Sequence, residues 1–110
     1  MLPKRDRATP PHGMRVFSLS TLRSFWEKHP NVEQPLRAWF AEAERATWSG
    51  PQDIKNRYRS ADFLPEDRVV FNIKGNQYRL IVAVKYEFKA VYVRFIGTHA
   101  EYDTIDAENI

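Results

Sequence analysis

From Arg68 onward the chain stops repeating like a helix and starts repeating like a strand. Arg68 to Ile73, Tyr78 to Tyr86 and Lys89 to Ile96 are dense in β-branched and aromatic residues, with Lys74-Gly75-Asn76-Gln77 and Glu87-Phe88 between them as tight turns. This stretch is predicted to be a three-stranded antiparallel meander, and such a sheet must bury one face. The cover lies upstream. Ser20 is suited to N-cap a helix carrying Leu22, Phe25 and Trp26, which Pro30 stops. Asn31 is suited to cap a second, with Gln34 at the capping-box position and Leu36, Trp39, Phe40 and Ala43 as its apolar stripe. Beyond Trp48 and Gly50, Pro51 can open a short third helix through Ile54 and Tyr58. An alternating segment, Arg15-Val16-Phe17-Ser18, comes before all of these. The order strand, helical hairpin, run of strands implies an α+β fold, with the helices on one face of a mainly antiparallel sheet.

A chain of 110 residues, 43% of them hydrophobic, has room for one compact core. Residues 1–13, with Pro3, Pro10, Pro11 and Gly13, read as a flexible leader, and 14–110 as a single domain. With no cysteine, disulfide frameworks, thiol nucleophiles and zinc–thiolate sites are excluded. Asp53, Asp62 and Asp67 lack a metal-ligand spacing, four glycines include no phosphate-cradling loop, and nothing points to a metal or cofactor. No apolar run approaches a membrane span and the polar start is unlike a signal peptide, so a cytoplasmic protein without membrane partners is expected.

Charge is uneven along the chain. Residues 55–95 hold nine Lys and Arg against four acidic residues, while 98–110 hold Glu101, Asp103, Asp106 and Glu108 with no Lys or Arg. A basic middle suits a polyanion, since phosphate contacts dominate non-specific nucleic-acid affinity. Arg57, Arg59 and Lys74 are candidate phosphate ligands within it. Solvated surface charge is the plain alternative.

If both turns are two-residue loops, Lys74 faces Gln77 and Tyr86 faces Lys89. Phe71, Ile73, Tyr78, Leu80, Val82, Val84, Val91, Val93 and Phe95 then share the buried face. On the other face Asn72 lies opposite Arg79, Ile81 opposite Arg94 and Arg79 opposite Ile96, which sets the two arginines within about 8 Å of each other. Like charges so placed invite an anion between them. Beyond Ile96 the chain brings His99 and Tyr102 to the same end, three apart and so on one face of a helical turn.

Two guanidiniums, an imidazole and a phenol suit RNA cleavage by the RNA's own 2′-hydroxyl. That reaction needs a base, cations for the phosphorane-like transition state, and an acid for the leaving 5′-oxygen, with no metal. An imidazole serves as acid or base near neutrality, so His99 fits either role, and Arg79 and Arg94 fit the cationic one. A phenol is a poor base at neutral pH, which suits Tyr102 better to stacking on a nucleobase. The three tryptophans read as core. His12 and His29 carry no assigned role. Two other readings use the same residues. In one, a non-catalytic RNA-binding module grips phosphates with the basic patch and stacks bases on Tyr92 or Tyr102. In the other, an interaction domain docks a partner on Val70, Ile81, Ala83 and Ile96.

The run Val69-Val70-Phe71-Asn72-Ile73-Lys74-Gly75-Asn76-Gln77-Tyr78-Arg79-Leu80-Ile81, followed later by Thr98-His99-Ala100-Glu101-Tyr102-Asp103, resembles the HigB-type toxins of bacterial type II toxin-antitoxin systems. The shared pattern is F-N-x-x-G-N-x-x-R with a terminal T-H-x-x-Y-D, and the likeness runs from Met14 to about Asp103. It implies a RelE-like α+β fold and a metal-independent endoribonuclease that cuts mRNA, typically in the ribosomal decoding site. It also implies silencing by a cognate HigA-type antitoxin. Asn72, Gly75, Asn76, Arg79, His99, Tyr102 and Asp103 match the pattern, whereas Arg94 and Lys74 come from the sheet register and the turn.

Overall fold

The computed structural model describes residues 13–110. Apart from Gly13, which is buried, the expected leader and His12 lie outside the described residues. Met14 is wholly buried, and the first strand, β1 (Arg15–Phe17), follows directly. Next come helix α1 (Leu19–Lys28), a 3-10 turn at Pro30–Val32 and α2 (Glu33–Arg45). After them stand α3 (Pro51–Arg57), β2 (Asp62–Leu64), β3 (Arg68–Ile73), β4 (Tyr78–Lys85), β5 (Ala90–Thr98) and a one-turn helix α4 (His99–Tyr102). The strands form one sheet ordered β1-β5-β4-β3-β2, with β1 parallel to β5 and every other pair antiparallel. The α+β expectation holds.

The core lies between sheet and helices. Leu22 and Trp26 of α1, Leu36, Trp39 and Ala43 of α2, and Ile54 of α3 pack with Val69, Phe71, Ile73, Tyr78, Leu80, Val82, Val84 and Val91 of the sheet. Phe71 sits at the centre of an aromatic group, with ring centroids 5.4 Å from Trp39, 6.3 Å from Trp48 and 5.0 Å from Tyr58. Edge-to-face and offset arrangements of this kind add to the area buried.

Both expected helix caps are corrected. Helix α1 begins at Leu19, with Ser18 in the cap position and the Thr21 amide donating to the Ser18 carbonyl at 3.2 Å, so Ser20 falls in the first turn. At α2, Pro30 fixes its own φ and opens a 3-10 turn, which delays the α-helix until Glu33. Asn31 serves tertiary structure instead: its Oδ1 accepts from the Tyr78 hydroxyl at 2.9 Å.

The first hairpin has the expected register, Ile73 opposite Tyr78 and Asn72 opposite Arg79. Its turn places Lys74 (φ 56°) and Gly75 (φ 67°) in the left-handed region, a conformation that only glycine adopts without steric cost. The second hairpin is joined by four residues, Tyr86 to Lys89, rather than two, because a 3-10 turn at Tyr86–Phe88 and a left-handed Lys89 close it. Pairing still begins as expected, from Lys85 opposite Ala90 to Val82 opposite Val93. A β-bulge then inserts Arg94, so that Phe95 faces Ile81 and Gly97 faces Arg79. One extra residue reverses the facing of all that follows. Ile96 therefore packs against the core and Phe95 does not, the reverse of the expectation.

Strand β2 was not expected. It pairs with the outer edge of β3 through a turn in which Glu66 (φ 64°) and Asp67 (φ 62°) are left-handed. The half-apolar docking face is also overturned, because Val70, Ile81 and Ala83 are 1%, 0% and 6% exposed. The segment after α4 returns to this face: the backbone oxygen of Ile110 accepts from Arg68 Nη2 at 2.5 Å and Nε at 3.2 Å, and from Arg94 Nε at 3.3 Å.

Candidate active site

Strand alternation builds the site. Phe71 and Tyr78 point into the core and anchor β3 and β4, so their neighbours Asn72 and Arg79 face the other way, opposite each other. On β5 the residue facing Arg79 is Gly97. A Cβ there would come within 2.5 Å of the Phe95 ring and 2.8 Å of Glu101 Oε1, so only glycine leaves these groups where they are.

Helix α4 presents the remaining groups. Thr98 Oγ1 accepts from the Glu101 amide at 3.1 Å, and Glu101 Oε1 accepts from the Thr98 amide at 2.8 Å, a reciprocal capping box. The His99 amide donates to the Gln77 carbonyl at 3.1 Å, tying the helix to the β3–β4 turn. His99, Tyr102 and Asp103 are thereby set around Arg79.

His99 Nε2 lies 2.9 Å from Arg79 Nη2. A guanidinium only donates, so Nε2 is the acceptor and the ring proton sits on Nδ1, facing Asp103 Oδ2 at 3.3 Å. The Arg79 guanidinium also lies 4.9 Å from the centre of the Tyr102 ring, and its Nη2 donates to Asn76 Oδ1 at 3.1 Å. Asn72 Nδ2 donates to the Ser60 carbonyl at 3.4 Å. Among the described residues, Arg79 Nε and Asn72 Oδ1 are buried without partners, as is Trp39 Nε1 in the core. Native proteins keep such orphans few, and two of these three lie at one point. The cluster offers an unprotonated imidazole nitrogen beside a fixed cation, with a carboxylate behind the ring.

The other expected residues divide. Lys74 is exposed in the turn that holds Asn76, and Arg59 is exposed beside Ser60. Arg57 is turned to the helices instead. It pairs with Glu42 Oε2 and lies 5.1 Å from the Tyr58 ring centre, while Glu42 Oε1 accepts from the Tyr58 hydroxyl at 2.6 Å. Burial first, then the Glu42 carboxylate, pushes the Tyr58 phenol well above its usual range. Arg57 thus lines a cleft of about 770 Å³ together with Glu42, Arg45 and Asp53, where the charges balance. Arg94 is displaced by its own bulge: it joins Arg68 on Ile110 rather than Arg79.

Sequence reasoning missed the capping box, although Thr98 and Glu101 have its spacing, and missed Gly97 and Arg68. Among the described residues no three His, Asp or Glu side chains are arranged to hold a metal ion, and no helix is long and apolar enough to cross a membrane.

Comparison with known proteins bears on the whole arrangement. The mRNA interferase toxin HigB of Escherichia coli K12 is 28% identical over 96 residues, covering 86% of this chain and 92% of that protein. The mRNA interferase HigB of Shigella flexneri matches to the same extent, and that of Escherichia coli O6:H1 is 24% identical over 94 residues, covering 84% and 91%. The HigB_toxin family, described as the RelE-like toxic component of a toxin-antitoxin system, matches residues 32–105, a span that holds every member of the Arg79 cluster. The chain belongs to this family of HigB-type, RelE-like toxins.

Proposed function

We propose that the chain is an mRNA endoribonuclease that uses the RNA's own 2′-hydroxyl, acts on the ribosome in the cytoplasm, and is silenced by a HigA-type helix-turn-helix antitoxin. The relatives' names supply the substrate class. The observation that carries the chemistry is the contact of Arg79 with His99, with Asp103 on the far ring nitrogen. As RNA binds, the Arg79 guanidinium shifts from His99 Nε2 to the phosphoryl oxygens, and the freed Nε2 takes the proton of the 2′-hydroxyl, whose oxygen attacks the adjacent phosphorus as Asp103 steadies the resulting imidazolium. Arg79 meets the charge that builds on the phosphoryl oxygens. The bond from phosphorus to the 5′-oxygen breaks, the leaving oxygen takes a proton from solvent, and a 2′,3′-cyclic phosphate and a 5′-hydroxyl remain. Tyr102, fixed against Arg79, orients a nucleobase. Asn72, Asn76 and Lys74 line the approach of the backbone.

The test is inducible expression of wild-type, Arg79→Ala and His99→Ala chains in bacteria, with RNA ends mapped after induction. Wild type is expected to arrest growth. Arg79→Ala is expected to lose about 2 to 4 kcal/mol of transition-state stabilisation, by analogy with other fixed donors. Equal arrest by all three chains would refute the site. Salt-sensitive RNA binding without new RNA ends would favour a non-catalytic binding module.

A further inference from the structure

The register lays out a second set of RNA-compatible groups on the face that carries Arg79. Arg68 on β3 and Tyr92 on β5 both pair with Ala83 of β4, and Phe17 on β1 pairs with Tyr92. Arg68, Ala83, Tyr92 and Phe17 therefore form one row across four strands. This row stands four residues along β4 from the row of Asn72, Arg79 and Gly97, about 13 Å at ordinary strand rise.

Two independent features mark the second row. Arg68 and Arg94 already converge on one acceptor, the Ile110 oxygen, which stands where a phosphate oxygen would. That oxygen belongs to a segment holding Glu101, Asp103, Asp106 and Glu108, whose acidity suits a basic surface. Beside the arginines, Phe17 and Tyr92 stack at 5.1 Å and 16°, yet remain 37% and 40% exposed. The Arg15 guanidinium lies 5.5 Å from the Phe17 ring centre. Large aromatic rings left in solvent among arginines are a stacking platform for bases.

Resting on the ribonuclease reading above, we infer that Arg68 and Arg94 with Tyr92 and Phe17 form a second nucleotide subsite. It takes a phosphate and a base of the single-stranded RNA a few nucleotides from the bond at His99, and RNA displaces the Ile110 segment from the arginines as it binds.

The test uses the full chain and fluorescent oligouridylates carrying 2′-O-methyl groups, about 4 and about 12 nucleotides long, a range over which single-strand sites are filled. Arg68→Gln and Tyr92→Ala are each expected to weaken the longer RNA about tenfold, leaving the shorter within about twofold. Arg68→Gln should also lower the salt dependence by about one phosphate. Tyr92→Phe, which keeps the ring, should bind like wild type, whereas a fold defect would weaken both lengths. Unchanged binding of the longer RNA, equal losses for both lengths, or no wild-type preference for the longer one would each overturn the subsite. The ribonuclease reading stands or falls separately, on the growth arrest and RNA ends of the Arg79 and His99 variants.

Discussion

On the helix-covered face of the sheet, apolar side chains meet other apolar side chains, and an aromatic group closes around Phe71. On the opposite face, alternate residues of the same strands carry Asn72, Arg79, Arg68 and Tyr92, and two buried polar atoms there have no partner among the described residues. The first face spends its composition on packing, while the second keeps polar groups incompletely satisfied and therefore free to take a ligand. In the first family motif the two faces are interleaved: Phe71 and Tyr78 hold the strands that aim Asn72 and Arg79.

The largest break in this division is expected from Phe71→Ala, which should cost about 3 to 5 kcal/mol through lost burial and the cavity left among Trp39, Trp48 and Tyr58. Urea unfolding measures it, and a loss under 1 kcal/mol would show the aromatic group to be poorly packed. By contrast, removal of Arg79 should leave the unfolding transition in place while abolishing growth arrest. Gly97→Ala comes next. Its methyl must displace the Phe95 ring or the capping Glu101, an overpacking cost of about 1 to 3 kcal/mol. Cleavage should fall more than the melting temperature does, because the displaced groups orient His99. Unaltered cleavage would mean that the approach at Gly97 does not position the site.

The smallest effect belongs to the helix layer's edge. The Asp53 carboxylate accepts from the Ser49 amide and hydroxyl, both at 2.9 Å, just before α3, and these bonds hold its pKa below the ordinary 3.8. A depressed folded-state pKa contributes stability above the unfolded value and loses it as pH falls through the folded one. Wild type should therefore lose part of its melting temperature below about pH 4, and Asp53→Asn should flatten that acid limb. Parallel acid limbs in the two proteins would leave Asp53 without a role.

Much of this division could be read from spacing. Alternation in Arg68 to Ile73 and a four-residue turn around Gly75 were enough to give the register of the first hairpin, and with it the Asn72–Arg79 pair. The bulge was not legible, because Val93-Arg94-Phe95 alternates like any strand and the extra residue shows only against its partner. That error carried Arg94 to the wrong partner and exchanged Phe95 with Ile96. Strand β2 was hidden because three residues between turns have no measurable period, and its turn uses Glu66 and Asp67 in a conformation that glycine or asparagine would have signalled. The burial of Val70 and Ile81 on the second face is a tertiary effect that strand alternation does not encode.

The parallel pairing of β1 with β5 joins Arg15–Phe17 to Ala90–Tyr92, so β1 cannot pair until residues far along the chain have been made. Helix α4, which brings His99 and Tyr102, follows that neighbour directly. Contacts so distant along the chain make folding slow relative to local helix formation. The groups around Arg79 therefore come together only after both Ala90–Thr98 and His99–Tyr102 have been made.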